Sequence, residues 1–136
     1  MITVLFACVH NAGRSQIAAV LFNHYVDSSK ARAISAGTRP ANRVHPEVVN
    51  ALQQRGIDLS DATPQLLTPD LAANANWLIT MGCGDECPVV PGIHRDDWPI
   101  LDPKGQSPET VNTIITDIDH RVRAFAAAQG WNTNDA

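Results

Sequence analysis

The run Ile2-Thr-Val-Leu-Phe-Ala-Cys8 is apolar at nearly every position. A strand with one wet face alternates apolar and polar residues, so a continuous run of β-branched and aromatic residues implies a strand covered on both faces. That is the setting of a parallel sheet. Parallel neighbours are joined by crossovers, and a helical pattern follows at once: from Ser15 onward, Ile17, Ala18, Val20, Leu21, His24 and Tyr25 recur at helical spacing.

The alternation continues along the chain. A short strand is expected over 32–36, closed by Gly37. Pro46 suits the first turn of a helix running to Gln54, which Gly56 ends. A short helix over 66–74, opened by Thr68 and Pro69, leads to a third strand over 77–81. Residues 82–92 are rich in Gly, Cys and Pro and read as a loop. A short fourth strand over 94–98 and a loop over 99–108 precede the longest helix, 109–128. There Val111, Ile114, Ile115, Ile118, Val122 and Phe125 form one stripe. The expected fold is therefore α/β: three layers, a four-stranded, mostly parallel sheet, and helices on both faces, with right-handed crossovers. A chain of 136 residues suits one such domain, assigned to residues 1–130, with a frayed polar tail over 131–136.

Charge and composition narrow the partners. The net charge is -4 and no basic run is present, which excludes general nucleic-acid binding. The apolar start is too short for a signal peptide, and no stretch suits a membrane span, so a soluble cytoplasmic protein is expected. The three cysteines, Cys8, Cys83 and Cys87, are an odd number for a disulfide framework. They also lack the C-x-x-C spacing of a zinc site. Reactive thiols are the better reading than three small buried apolar residues.

In parallel sheets ligands bind beyond the carboxyl ends of the strands. Cys8 ends the first strand, Cys83 follows the third, and Asp102 lies in the loop after the fourth. The loop Cys8-Val9-His10-Asn11-Ala12-Gly13-Arg14-Ser15 can curl so that its N–H groups face an anion at the positive end of the following helix. Asn11 and Gly13 tolerate the backbone angles a curl needs. Arg14 offers a planar fork for two oxygens of a tetrahedral anion. Helix N-termini and cations lower a cysteine pKa from about 8.5 to roughly 3.5–7.5, so Cys8 is expected to be largely thiolate at neutral pH, with Ser15 donating to its sulfur. A nucleotide-binding turn is the alternative, but neither G-x-G-x-x-G nor G-K-[ST] is present.

These residues resemble the low-molecular-weight protein tyrosine phosphatase superfamily and, within it, the arsenate reductases. The resemblance runs from Cys8-x5-Arg14-Ser15-Gln16 through Ser35-Ala-Gly-Thr38, Ile79-Thr-Met-Gly-Cys83, Cys87-Pro88 and Asp97-Trp98-Pro-Ile-Leu-Asp-Pro103, nearly the whole chain. It implies arsenic detoxification: Cys8 attacks arsenate held by Val9, His10, Asn11, Ala12, Gly13, Arg14 and Ser15, and Asp102 protonates the leaving oxygen. Cys83 then attacks the sulfur of the Cys8–arsenic adduct, and Cys87 takes over the disulfide for reduction by thioredoxin. The three-residue gap between Cys83 and Cys87 is more similar to the branch that uses mycothiol with a redoxin, in which that thiol attacks the adduct itself. No tightly bound cofactor and no metal is implied. Ala19 stands where the thioredoxin-coupled branch has an acidic residue beside potassium, so no tight potassium site is expected.

The five histidines show no metal-ligand pairing, and none is assigned to catalysis. The three tryptophans read as packing, and Asp96-Asp97 as a solvated turn. Two competing functions remain. One is a phosphatase acting on phosphotyrosine or a small phosphoester. Against it, Lys104-Gly105 follows Asp102-Pro103 where an aromatic substrate wants a tyrosine. The other is a non-enzymatic oxyanion or redox sensor, which needs neither nucleophile nor acid.

Overall fold

The computed structural model describes all residues except 83–86, 88–89 and 134–136. The elements run β1 (Ile2–Cys8), α1 (Arg14–Tyr25), β2 (Ala31–Gly37), α2 (Pro46–Gln54), α3 (Pro69–Ala73), β3 (Trp77–Thr80), β4 (His94–Asp97) and α4 (Pro108–Gln129). The sheet has the order β2-β1-β3-β4, and every pairing is parallel. Because β1 is interior, both its faces are covered, which is why its burial runs unbroken from Thr3 to Cys8.

Alternate β1 side chains feed two cores. Val4, Phe6 and Cys8 face the larger one, packed with Ile17, Leu21 and Phe22 of α1, Val48 and Leu52 of α2, and the Val111–Ile118–Val122 stripe of α4. Leu5 and Ala7 face a smaller core with Ala36, Leu78, Ala72 of α3 and Cys87. Helices therefore cover both faces, the heavier layer on one side. Helix α1 is buried on nearly all sides as far as Phe22, because it lies between β1 and α4.

The termini of the elements follow local chemistry. Ser107 caps α4 by accepting from the Thr110 N–H at 3.2 Å, with Pro108 in the first turn and Gly130 at φ 76 past the end. Thr68 caps α3 in the same way.

Three expectations are corrected. The helix expected from residue 66 begins at Pro69. Leu66 instead bridges Gly37 and the Leu67 N–H donates to the Gly37 carbonyl, so this segment extends the sheet edge beside β2. Asp96 and Asp97 lie not in a turn but on the fourth strand expected over 94–98. They pair with Ile79 and Thr80 on the fully exposed edge strand β4, where the ladder to a buried neighbour outweighs the low strand preference of aspartate. Nor are residues 131–133 loose: the Trp131 carbonyl accepts from Asp27 N–H at 2.8 Å, and Asn132 bridges Val26. The Trp131 ring packs edge-on against Phe22 and Phe125. Aromatic burial anchors residues 131–133 despite their polar neighbours.

Trp77 and Trp98 join the same aromatic group through Phe125, as packing residues. No helix among the described residues is long and apolar enough to cross a membrane.

Candidate active site

Sheet register decides which residues meet. Cys8 pairs with Gly37, Ala7 with Thr80 and Thr80 with Asp97, so the carboxyl ends of all four strands finish on one edge. The loops that leave this edge carry Cys8 to Ser15, Gly82, and Ile100 to Lys104.

The loop of residues 8–15 curls because its carbonyls are held from outside. The Cys8, Val9, His10 and Ala12 carbonyls accept from the N–H groups of Thr38, Arg39, Ala41 and His45, at 2.8–3.2 Å. The Asn11 carbonyl accepts from Gln16 Nε2 at 3.2 Å, and the Gly13 carbonyl from Ile17 N–H at 2.9 Å. In a trans peptide the C=O and the next N–H point opposite ways. Tying successive carbonyls outward therefore turns the N–H groups of residues 9–14 to the inner side of the curl. Among the described residues, none of the N–H groups of residues 9–13 donates to the protein. Gly13 precedes α1 without a side-chain cap, which leaves the positive end of the helix open to the same point.

Two backbone features permit the curl. Asn11 is the only non-glycine at positive φ among the described residues, at 50°. Gly37 lies against the loop so closely that a Cβ there would be 2.5 Å from the Val9 carbonyl oxygen.

Cys8 is a free thiol, buried to 2% exposure, with its Sγ 2.9 Å from Ser15 Oγ. Asn11 Nδ2 donates to that same Oγ at 2.7 Å. Arg14 is also buried. Its Nη1 donates to the Ile100 carbonyl at 3.3 Å, and its Nη2 lies 3.9 Å from Asp102 Oδ2. Gly82, at φ 98, lies flat against the guanidinium, where a Cβ would come within 2.2 Å of Nη1. Asp102 is half-exposed, and its Oδ1 accepts from Lys104 N–H at 3.0 Å, which turns Oδ2 toward Arg14.

Cys8, Arg14, Ser15 and Asp102 thus converge as the sequence suggested. Cys87 is buried in the smaller core beside Leu5 and Ala7. Cys83 lies outside the described residues. Several contributors carried no readable signal. Gly82 reads in sequence only as part of the 82–92 loop, yet the fold uses it as a wall for Arg14. His45 reads as an unpaired histidine, yet its backbone holds Ala12 and its ring abuts the space beside Gly13, next to Pro103. Burial pushes the His45 imidazole below its ordinary value, against the opposing influence of Glu47 and Asp102.

The arrangement is suited to one kind of chemistry. A buried thiol at the foot of a ring of N–H groups, a guanidinium fork and a carboxyl at the rim can together hold a tetrahedral oxyanion, attack it and protonate what leaves.

Known proteins share this architecture. A putative arsenate reductase of Halobacterium salinarum is 35% identical over 86% of this chain and 85% of its own length. The structure of a thioredoxin-dependent arsenate reductase of Corynebacterium glutamicum superposes with a TM-score of 0.81 at 44% identity. It matches 94% of this chain, which spans 61% of that longer one. The arsenate reductase of Archaeoglobus fulgidus gives a TM-score of 0.77 at 30% identity, over 91% of this chain and 98% of its own. Residues 3–133 match the low molecular weight phosphotyrosine protein phosphatase model, and the chain belongs to that family.

Proposed function

We propose that this chain is an arsenate reductase in which Cys8 is the nucleophile. The observation that carries the reading is the curled loop: its outward-tied carbonyls and inward N–H groups surround a free thiol within reach of Ser15. Relatives named arsenate reductases, at 34–35% identity over most of their length, support arsenate as the oxyanion. The N–H groups of Val9, His10, Asn11, Ala12, Gly13 and Arg14, with the Arg14 fork, hold arsenate. The Cys8 thiolate attacks arsenic, an As–O bond breaks, and Asp102 protonates the departing hydroxide to water. A second thiol then attacks the Cys8 sulfur of the adduct. A disulfide forms, the As–S electron pair stays on arsenic, and arsenite leaves as As(III).

Cys83 is the second thiol in this reading, and Cys87 takes over the disulfide for reduction by thioredoxin. The 44% identical thioredoxin-dependent structure supports that route. A mycothiol route is the second reading, favoured by the three-residue gap between Cys83 and Cys87. There the thiol of mycothiol attacks arsenic and frees Cys8, and a redoxin thiol then attacks the mycothiol sulfur to release arsenite. Either route suits a reducing cytoplasm, where a free Cys8 persists. Phosphotyrosine hydrolysis fits less well: the only tyrosine, Tyr25, donates to Asp119 of α4 at 2.7 Å and ends α1, at the opposite end of that helix from Arg14.

The test is arsenite formation from arsenate with a thioredoxin system and, separately, with mycothiol plus redoxin. Cys8→Ser abolishes both. Turnover with thioredoxin that is lost in Cys83→Ser and Cys87→Ser supports the relay, and turnover with mycothiol that survives both supports the second route. Fast phosphoester hydrolysis with no arsenite from either system overturns the reductase.

A further inference from the structure

We infer that Gln16 is a positioning residue that, together with the Gln65 backbone N–H, holds the Asn11 end of a hydrogen-bond chain ending on the Cys8 sulfur. The inference rests on the reading of Cys8 as nucleophile.

The chain is read from its far end. Asn11 Oδ1 receives two donors, Gln16 Nε2 at 3.1 Å and the Gln65 backbone N–H at 3.0 Å. A backbone N–H only donates, so Oδ1 must be the end of the amide that faces Gln16 and Gln65. The other end, Nδ2, therefore faces Ser15 and donates to its Oγ at 2.7 Å. With one side of Oγ receiving the Asn11 proton, the serine's own proton is left to point at Cys8 Sγ, 2.9 Å away. Distance alone leaves donor and acceptor open at that last step; because Cys8 Sγ is the one acceptor the Ser15 hydroxyl meets among the described residues, the upstream chain favours Ser15 as the donor. A thiolate can only accept, so a hydroxyl aimed at the sulfur favours the nucleophilic form.

Gln16 is suited to this task. It is buried at 6% exposure, and its amide nitrogen meets three oxygens: Asn11 Oδ1, the Asn11 carbonyl at 3.2 Å and the Thr63 carbonyl at 3.5 Å. It thus orients both the side chain and the backbone of the one non-glycine held at positive φ in the loop. It touches neither Cys8 nor the inner side of the curl, so it acts only through Asn11 and Ser15. In Gln16→Glu an acceptor oxygen would face these oxygens and repel them, leaving the Asn11 amide held by the Gln65 N–H alone and loosening its bond to Ser15.

The experiment measures iodoacetamide alkylation of Cys8 against pH in the full chain, without arsenate, in a Cys83→Ser/Cys87→Ser background so that one thiol reports. Gln16→Met, Gln16→Glu, Ser15→Ala and the Gln16→Met/Ser15→Ala pair are compared. Both Gln16 variants should lower alkylation at pH 7 about tenfold and move its midpoint to higher pH, Gln16→Glu further than Gln16→Met. In arsenite formation with all cysteines present, kcat should fall while KM for arsenate stays within about twofold. The decisive comparison is the pair. Once Ser15 is alanine, Gln16→Met should have no further effect on alkylation, because the route to sulfur is cut. Alkylation unchanged in both Gln16 variants overturns the inference. So does an additive effect in the pair, or a rise in KM that matches the loss in kcat. If the unsubstituted Gln16 protein itself alkylates like a free cysteine, the activated nucleophile fails, and the chain built on it fails with it. Circular dichroism checks each fold, and Gln16→Met, nearly isosteric, carries the test if Gln16→Glu does not fold.

Discussion

Gly82→Ala tests whether the Arg14 fork is held by the wall behind it. A Cβ at this position would lie 2.2 Å from Arg14 Nη1 and 3.2 Å from its Cζ. Reaching an ordinary contact of about 3.4 Å requires a displacement of about 1.2 Å, shared between the guanidinium and residue 82. The guanidinium has little room to give, because Nη1 is bonded to the Ile100 carbonyl and the side chain is buried. Residue 82 has little either, because its φ of 98° strains any residue with a Cβ by about 1–3 kcal/mol. A misplacement near 1 Å in an oriented catalytic group costs about a hundredfold in rate. The expected outcome is therefore kcat/KM for arsenate lowered about a hundredfold, approaching the loss in Arg14→Lys, with melting lowered by several degrees. Steady-state arsenite formation and a thermal melt measure both. A variant that keeps the parent kcat/KM would refute the reasoning, because the wall would then have no bearing on the fork.

Three further outcomes follow from separate features. Asp102→Asn should lower kcat about 100-fold or more while KM changes little, since an amide is no proton donor of comparable strength; a pre-steady-state measure of adduct formation locates the loss in the first step. Ser107→Ala removes the cap of α4 and should cost about 1 kcal/mol, a fall in melting temperature of roughly 3–5 °C with activity retained. For His45, burial lowers the imidazole value in the folded protein, with Glu47 and Asp102 opposing and Lys104 and His10 adding to the shift. The unfolded chain takes up its proton first as pH falls. The contribution is thus intact above the ordinary value of about 6.5 and is lost as pH falls through the lower folded value. His45→Gln should flatten the acid limb of a stability profile measured by denaturant melts between pH 7 and 5.

What the sequence revealed and what it hid divide along a physical line. Signals confined to one segment were legible: the unbroken apolar run of β1, the stripe of α4, and Cys8, Arg14 and Ser15 on a strand–loop–helix junction. Asp102 was legible through family resemblance. Features decided by contacts between distant segments were not. Leu66 has the look of a helix residue, but Gly37 offers it a ladder partner 29 positions away. Residues 131–133 look like a tail until the aromatic group is assembled around Phe125. Gly13, Gly37 and Gly82 are three of eight glycines, and nothing local distinguishes them as positions where a Cβ would meet another residue. Gln16 and Gln65 are polar residues with partners 47 and 54 positions from them, Thr63 and Asn11.

The outward-tied carbonyls have a consequence for selectivity. The ring of N–H groups is assembled when the chain folds, by bonds to residues 38–45, so a guest meets a rigid cradle shaped for four oxygens around a centre. Phosphate presents nearly the same shape and charge as arsenate, and a cradle that does not reshape itself has little means of telling them apart. Discrimination then falls to what happens after entry. In the proposed mechanism, arsenic in its adduct can accept an electron pair and depart in a lower oxidation state when a thiol attacks the sulfur. Phosphorus has no such exit under cellular conditions, and its adduct can only return by exchange with water. Under the proposed mechanism phosphate is expected to act as an occupant that slows turnover, and the element to be recognised by its reducibility rather than by its fit.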